Sequence, residues 1–502
     1  MFSSASESDH DRPHMRGLFA FLAVYGVVMM TFATINFGSG SLHPDTTETW
    51  AWGKEFQLGY SKHPPIMAWL AGAWFAVMPR TNWSFQLLSI VNAGIGLAGV
   101  WMLAGSLLGV HGRWASVLFL ALTPSYTYWA LKFNANAVLL SSWPWTAYFF
   151  FESVRKPRAG FALLAGLAGA IALLGKYYSL VLFATLLVAA LLHPGRDRYF
   201  RSWSPYLTLA SGFAAMTPHL WWLVQAGFPT LEYALAKTRF PVAVAGQHTA
   251  GAIAASYLCL GVGAGAFAVA FGRNSWDLLK RAIGATGKRE SAWLIWLAHG
   301  PVLVTLAAYL AVNGRFATEH LMPACFAMPI AFLTTSRAPI TGRVVRRLAI
   351  AALALWLPLT LASPVLAAYG FAHGGDVEPR REIAVAATRI WHRLFDRPLR
   401  FVAGTREAAT AAAFYSSDAP SYLRLDKPEL TPWVHAEELK HHGVFVVCRA
   451  SDQACIAQGA RLIGERPFRT TQDFTARHWG STSAPQSFVL FILPPADMDS
   501  LD

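Results

Sequence analysis

GLFAFLAVYGVVMMTFATIN, residues 17–36, contains no Asp, Glu, Lys or Arg. A helix needs roughly 20 apolar residues to cross the hydrocarbon core of a bilayer. In that solvent the backbone has to satisfy its own hydrogen bonds, so such a run reads as a membrane-spanning helix. Working outward, the same reading recurs. Residues 82–110, 203–228 and 249–271 are likewise free of charged side chains, and further apolar windows cover 114–131, 133–151, 159–175, 177–192, 291–312, 321–336 and 348–372. Together they predict about eleven spans. Composition agrees, with 54% hydrophobic and 14% charged residues over 502 positions, whereas soluble domains carry nearer a quarter charged. The first window is long for a cleavable signal peptide and no small-residue cleavage site clearly follows it, so it is expected to be a retained span.

Orientation follows from Lys and Arg between the windows. With residues 1–16 in the cytoplasm and one crossing per window, eighteen of these residues fall on the cytoplasmic side and eight on the other before the tail. That is the bias expected of cytoplasmic loops. Basic loops thus account for much of the formal net charge of +13. No RNA- or DNA-binding motif accompanies it, so no nucleic-acid partner is expected.

An odd number of crossings leaves residues 373–502 outside the cytoplasm, and this tail differs in kind. LRFVAG (399–404), GVFVVCR (443–449) and QSFVLFILP (486–494) read as strands, and REAATAAAFY (406–415) reads as a helix. The order predicts a small α/β domain of about 130 residues. Cys259 and Cys325 lie in apolar windows and read as buried thiols. Cys448 and Cys455 lie in the tail, where an oxidising compartment allows a disulfide and two unpaired thiols are the alternative.

Chemistry concentrates in the loop 37–81, within the membrane domain 17–372. From Asp45 onward it reads DTTETWAWGKEFQLGYSKHPPIMAWLAGAWF and holds Asp45, Glu48, Lys54, Glu55, Lys62 and His63. Long, ionisable loops tend to be functional. Trp50, Trp52, Phe56, Trp69, Trp74 and Phe75 alternate with the charges, which predicts interfacial helices with rings at headgroup depth.

Asp45, the pair Gly59 and Tyr60, and KHPP (62–65) resemble the corresponding elements of the polyprenyl-phosphate-dependent membrane glycosyltransferases of GT-C fold. That family includes the protein O-mannosyltransferases, the lipid A aminoarabinose transferase and the rhizobial galacturonic acid transferases. AGLAGAIALLGKYYSL (164–180), PHLWWLVQAGFPTLEY (218–233), RFATEHLMPA (315–324) and FYSSDAPSY (414–422) extend the resemblance in order along the chain. The resemblance implies an all-α multi-pass membrane domain of GT-C type with a small extracytoplasmic α/β domain. It implies an inner-membrane enzyme whose partners are the bilayer, a polyprenyl-phosphate-linked sugar and an envelope acceptor such as lipid A or lipopolysaccharide core. Inverting transfer needs a carboxylate to take the acceptor's proton and cations to stabilise the leaving phosphate.

The resemblance makes Asp45 the base, although Thr46 stands where relatives often carry Glu. Glu48, one helical turn on, is placed to share the role. Asp is also a favoured helix N-cap, which is the plain alternative for Asp45. Lys62, His63, Lys176 and Arg315 are expected at the donor phosphate, with snorkelling at a membrane edge the alternative for Lys62 and His63 and an ordinary charge flanking a span that for Lys176 and Arg315. Tyr60, Lys237, Arg239, Glu319 and His320 are expected substrate contacts. Asn134 and Asn136 fall where relatives often show Asn-Asp. Tyr415 and Asp418 read as an exposed turn after a helix. No Cys/His cluster or Asp-rich run marks a metal, and no cofactor is implied. The competing readings are an enzyme acting on exported proteins and, in another class, a transporter or flippase, although the windows lack the charges and repeats such proteins show.

Overall fold

The computed structural model describes residues 6–236, 242–311, 318–373, 377–464, 468–479 and 481–496. Every apolar window contains a helix: Ser6–Phe37, Asn82–Gly105, Val110–Ala121, Ala135–Arg155, Ala159–Gly175, Leu180–Leu192, Ser204–Gln225, Val242–Phe271, Arg289–Ala311, Met328–Thr335 and Gly342–Ala372. Among the described residues, four helices are both long and apolar enough to cross a membrane by themselves: His14–Phe37, Asn82–Gly105, Arg289–Ala311 and Gly342–Phe371. Val110–Ala121 and Met328–Thr335 are shorter, with 12 and 8 residues. Proline shortens both runs: Pro124 opens a 3₁₀ turn after the first, and Pro323 lies in the turns before the second.

The chain forms two compact units, one of Met1–Met30, Leu58–Ile66 and Ser89–Leu359, the other of Thr31–Gln57, Met67–Leu88 and Thr360–Asp502. Chain order alone leads one to expect the loop 37–81 with the spans and the tail by itself. The contacts instead divide the loop between the two units.

In the first unit, side chains expected on the same membrane face meet. Ser106 Oγ donates to Glu152 Oε1 at 2.5 Å, and Arg155 Nη2 lies 2.8 Å from the same oxygen. At the opposite helix ends, Lys176 Nζ donates to Asn136 Oδ1 at 2.6 Å, and the Tyr178 and Thr305 hydroxyls lie 2.6 Å apart. Small residues let the helices approach: a Cβ on Gly166 would lie 2.0 Å from Ser211 Oγ.

The second unit is built on a mixed sheet. Its strands are β1 (Phe401–Gly404), β2 (Ser421–Arg424), β3 (Val444–Arg449), β4 (Phe468–Phe474) and β7 (Gln486–Leu493), in the order β2-β1-β3-β7-β4. A separate two-residue pair, β5 (Arg477–His478) with β6 (Ser481–Thr482), completes the set. β1 runs parallel to β2 and β3, and β7 runs antiparallel to β3 and β4. Helix Arg406–Tyr415 makes the crossover from β1 to β2, the connection a parallel pair requires. Cys448 and Cys455 form a disulfide joining β3 to helix Gln453–Ile463.

Helix Pro44–Glu55 belongs to this unit, and its aromatic rings are packed inside the protein. Trp50 and Trp52 are 8% and 1% exposed. Trp50 meets Phe75 edge-on at 5.3 Å, and Trp52 Nε1 donates to the Tyr422 hydroxyl at 2.6 Å. Protein covers these rings: Phe75 of the loop supplies the apolar edge and Tyr422 of the tail the hydrogen-bond acceptor. A Cβ on Gly53 would lie 2.3 Å from the Ala68 carbonyl, so glycine is what permits that crossing.

Candidate active site

Pro44 opens helix Pro44–Glu55 and His43 caps it, the imidazole accepting the Asp45 N–H at 3.1 Å. Asp45 therefore lies in the first turn and is not the N-cap. Asp45 and Glu48 share one face of that turn, as the spacing predicts. Arg406, at the start of helix Arg406–Tyr415, bridges them: its Nη1 is 3.0 Å from Asp45 Oδ1 and 3.3 Å from Glu48 Oε2. Glu48's side chain is 5% exposed and Asp45's 35%, so the helix buries one acid and presents the other. A neighbouring contact fixes the register, with the Thr47 and Thr410 hydroxyls 3.0 Å apart.

Burial alone would lower the pKa of Arg406, but the Glu48 and Asp45 carboxylates outweigh it and the net direction is upward. The guanidinium is thus a fixed positive charge, and it makes two adjacent carboxylates tolerable. Sequence reasoning assigned the tail no chemistry and missed Arg406. A single Arg at a helix start carries no signal by itself.

FYSSDAPSY does turn after its helix, with Ser417 exposed and the rest of the turn held by other segments. Tyr415 is half-buried, accepting the Leu42 N–H at 2.7 Å and donating to Asn82 Oδ1 at 2.9 Å. The Arg80 guanidinium donates to the carbonyls of Phe414, Ser416 and Ser417 at 3.1, 3.0 and 3.0 Å. Asp418 accepts the Leu399 N–H at 2.7 Å and lies 2.9 Å from His392 Nε2. Burial would raise its pKa, but the Leu399 N–H, His392 and the Ser417 hydroxyl outweigh this, so the net direction is down. Glu55 accepts from Ser421 Oγ at 2.7 Å, and burial pushes its pKa up.

The basic half of the loop belongs to the other unit. The Tyr60 N–H donates to the His63 carbonyl at 3.2 Å, closing a tight turn before the buried prolines Pro64 and Pro65. Two side chains of the bundle hold this turn by its backbone. His219 Nδ1 lies 2.8 Å from the Leu58 carbonyl, and Thr230 Oγ1 donates to the Tyr60 carbonyl at 2.8 Å. His219 also meets the Tyr177 hydroxyl through Nε2 at 2.6 Å. A Cβ on Gly59 would lie 2.2 Å from the Trp222 ring, which explains the Gly before Tyr60.

Tyr60 is fully buried, while Lys62 and His63 are half-buried, His63 edge-on to Tyr233 at 6.2 Å. Asn134 caps helix Ala135–Arg155, and Asn136 holds Lys176. Hence neither Asn needs to be acidic for the structural role it fills. His320 Nδ1 lies 2.5 Å from the Tyr309 hydroxyl and its ring stacks on Tyr178, while Glu319 is exposed. Lys237, Arg239 and Arg315 lie outside the described residues. Among the described residues, no group of three or more His, Cys, Asp or Glu side chains is arranged to hold a metal ion.

One unit thus holds an acid pair bridged by Arg406, and the other a basic turn against a helical bundle. The family model of dolichyl-phosphate-mannose-protein mannosyltransferases matches residues 62–222. The chain is similar to the polyprenyl-phosphate-dependent membrane glycosyltransferases of GT-C fold, and it is an enzyme with glycosyltransferase activity.

Its relatives include two proteins of Rhizobium johnstonii. The lipopolysaccharide core galacturonosyltransferase RgtB is 27% identical over 386 residues, 72% of this chain and 74% of RgtB. The lipid A galacturonosyltransferase RgtD is 23% identical over 216 residues, 42% of this chain and 45% of RgtD. Among solved structures, ArnT from Cupriavidus metallidurans bound to undecaprenyl phosphate matches with a TM-score of 0.63 at 13% identity, covering 94% of this chain and 98% of ArnT. At that identity the likeness speaks for the fold.

Proposed function

We propose that this enzyme moves a sugar, with inversion, from a polyprenyl-phosphate donor to lipid A or lipopolysaccharide core at the periplasmic face of the inner membrane. The single observation that carries the mechanism is the Asp45–Glu48 pair held on Arg406. The acceptor hydroxyl oxygen bonds to the anomeric carbon while the bond from that carbon to the phosphate oxygen breaks. The hydroxyl proton passes to the Asp45 carboxylate, and the phosphate leaves with the bonding electron pair. A phosphate is a good leaving group and needs no proton from an acid, so one base is enough.

Lys62, His63 and Lys176 receive the phosphate's charge, joined by Arg315. Tyr60, Lys237, Arg239, Glu319 and His320 contact the sugars. Glu48, buried beside Asp45, sets the field around the base and keeps Arg406 in place. About eleven spans carry the site, with residues 1–16 cytoplasmic, 17–372 in the membrane domain, 37–81 periplasmic, and 373–502 a periplasmic α/β domain. The rhizobial relatives favour galacturonic acid as the sugar.

The test is mass spectrometry of lipid A and core oligosaccharide from a deletion strain, complemented with the wild-type chain or Asp45→Asn. Loss of one uronic acid, restored only by the wild-type chain, is the expected result. An unchanged envelope glycan with altered exported glycoproteins would overturn the acceptor assignment.

A further inference from the structure

Two cavities meet in the first unit at the helix ends opposite Lys176. One, of 800 Å³, is lined mainly by apolar side chains, among them Phe267, Phe271, Leu279 and Phe332, with Arg273 and His299 also in its wall. The other, of 620 Å³, is polar and basic, lined by Arg281, Lys288 and Arg337 with Glu290. Both are lined by Thr335 and by helices Ser275–Gly284 and Arg289–Ala311. The helix Ser275–Gly284 divides its faces between them: Trp276, Leu279 and Ile283 line the apolar cavity, and Arg281 lines the basic one. A greasy cleft that continues into a cationic pocket has the polarity profile of a single amphiphile.

Two further features belong to the basic pocket. Ser336, which lines it, is fully buried and its hydroxyl has no hydrogen-bond partner. Buried hydroxyls are normally satisfied, so this one awaits an acceptor or donor. Next to it Arg337 closes helix Met328–Thr335 in the left-handed conformation common at helix ends, φ 50°, with the Ala338 N–H donating to the Leu333 carbonyl at 3.3 Å. Three cations against Glu290 leave the pocket net positive.

We propose that these cavities form one binding site for an anionic phospholipid of the cytoplasmic leaflet, its acyl chain beside Phe267 and Phe332 and its phosphate on Arg281, Lys288 and Arg337. Charge complementarity selects the occupant, because basic pockets between spans on the cytoplasmic side suit anionic headgroups and the apolar cleft excludes a free anion. The leaflet follows from the Lys and Arg bias, since residues 272–290 and 337–347 fall on its basic side. The site is separate from the donor site of the proposed reaction and does not depend on it.

Native mass spectrometry of the full-length, detergent-purified protein, titrated with phosphatidylglycerol or phosphatidylcholine, tests this. Phosphatidylglycerol is expected to bind in preference. The triple variant R281A/K288A/R337A is expected to lose its affinity by about a hundredfold, as each basic side chain near such a headgroup contributes roughly fivefold. Ala264→Trp, which fills the apolar cavity, is expected to weaken both lipids, with an elution profile and melting temperature matching wild type as the folding control. Equal binding of the two lipids, or full binding to the triple variant, would overturn the proposal. So would a charge-dependent preference for undecaprenyl phosphate over phosphatidylglycerol.

Discussion

The two halves of the segment between the first two apolar helices are held in opposite ways. The acidic half, Thr31–Gln57, is fixed through side chains, and the partner of both Asp45 and Glu48 is Arg406, 361 and 358 positions away in sequence. The basic half, Leu58–Ile66, is fixed through its backbone, by His219 and Thr230 on the Leu58 and Tyr60 carbonyls. The contrast follows from electrostatics. Two carboxylates side by side repel, so their placement needs a cation from elsewhere in the fold. A turn that carries Lys62 and His63 needs a platform, and the contacts to its main chain supply one.

Perturbing each half in turn tests that contrast. The largest effect is expected from Asp45→Asn, which keeps the shape and removes the base. Transfer should fall about a thousandfold with donor affinity nearly unchanged, measured as single-turnover rate against donor binding. Arg406→Ala should follow, with a loss of about a hundredfold in rate and roughly 3 kcal/mol in stability, because Glu48 would remain buried without its counter-charge. Arg406→Lys should recover most of the melting temperature but little of the rate, since one ammonium does not reproduce the planar fork. An equal recovery of both would reduce Arg406 to a structural tie.

On the basic half, Lys62→Ala should raise the donor KM about tenfold and leave kcat within roughly twofold, with Lys62→Arg restoring much of the affinity. A fall in kcat alone would place Lys62 in the chemical step instead. The smallest effect concerns pH. Asp418's folded pKa lies below its ordinary value of 3.8, so its stabilising contribution is complete above that value and is lost as pH falls through the depressed one. Thermal melts between neutral pH and pH 3 should show wild type losing an increment that Asp418→Asn has already lost at neutral pH.

Much of this was legible from residues alone, for reasons particular to each part. Apolar runs dictate helices because lipid leaves the backbone no other option, and all eleven windows hold one. The tail helix begins and ends where REAATAAAFY does, since Thr405 caps it and β-rich runs bound it. The Asp45 and Glu48 spacing placed both acids on one face. What could not be read is tertiary. Trp50 and Trp52 look interfacial by composition, and only the fold brings Phe75 and Tyr422 to cover them. FYSSDAPSY has turn chemistry, yet its carbonyls are claimed by Arg80 from a segment far away in sequence. The divided loop is likewise a fact of packing that no periodicity records.

The sheet order carries a consequence for damaged chains. Among the described residues β7 is the last strand in chain order, yet it lies between β3 and β4 and buries Phe488, Leu490, Phe491 and Ile492. A premature stop codon before residue 486 would therefore remove an interior layer, not a loose end, stranding β4 and baring one edge of β3. The helix that bears Arg406 packs on the same sheet, so a lesion at β7 would be felt at residue 45. Genetic screens would score such alleles as catalytic nulls although every reacting group is still encoded.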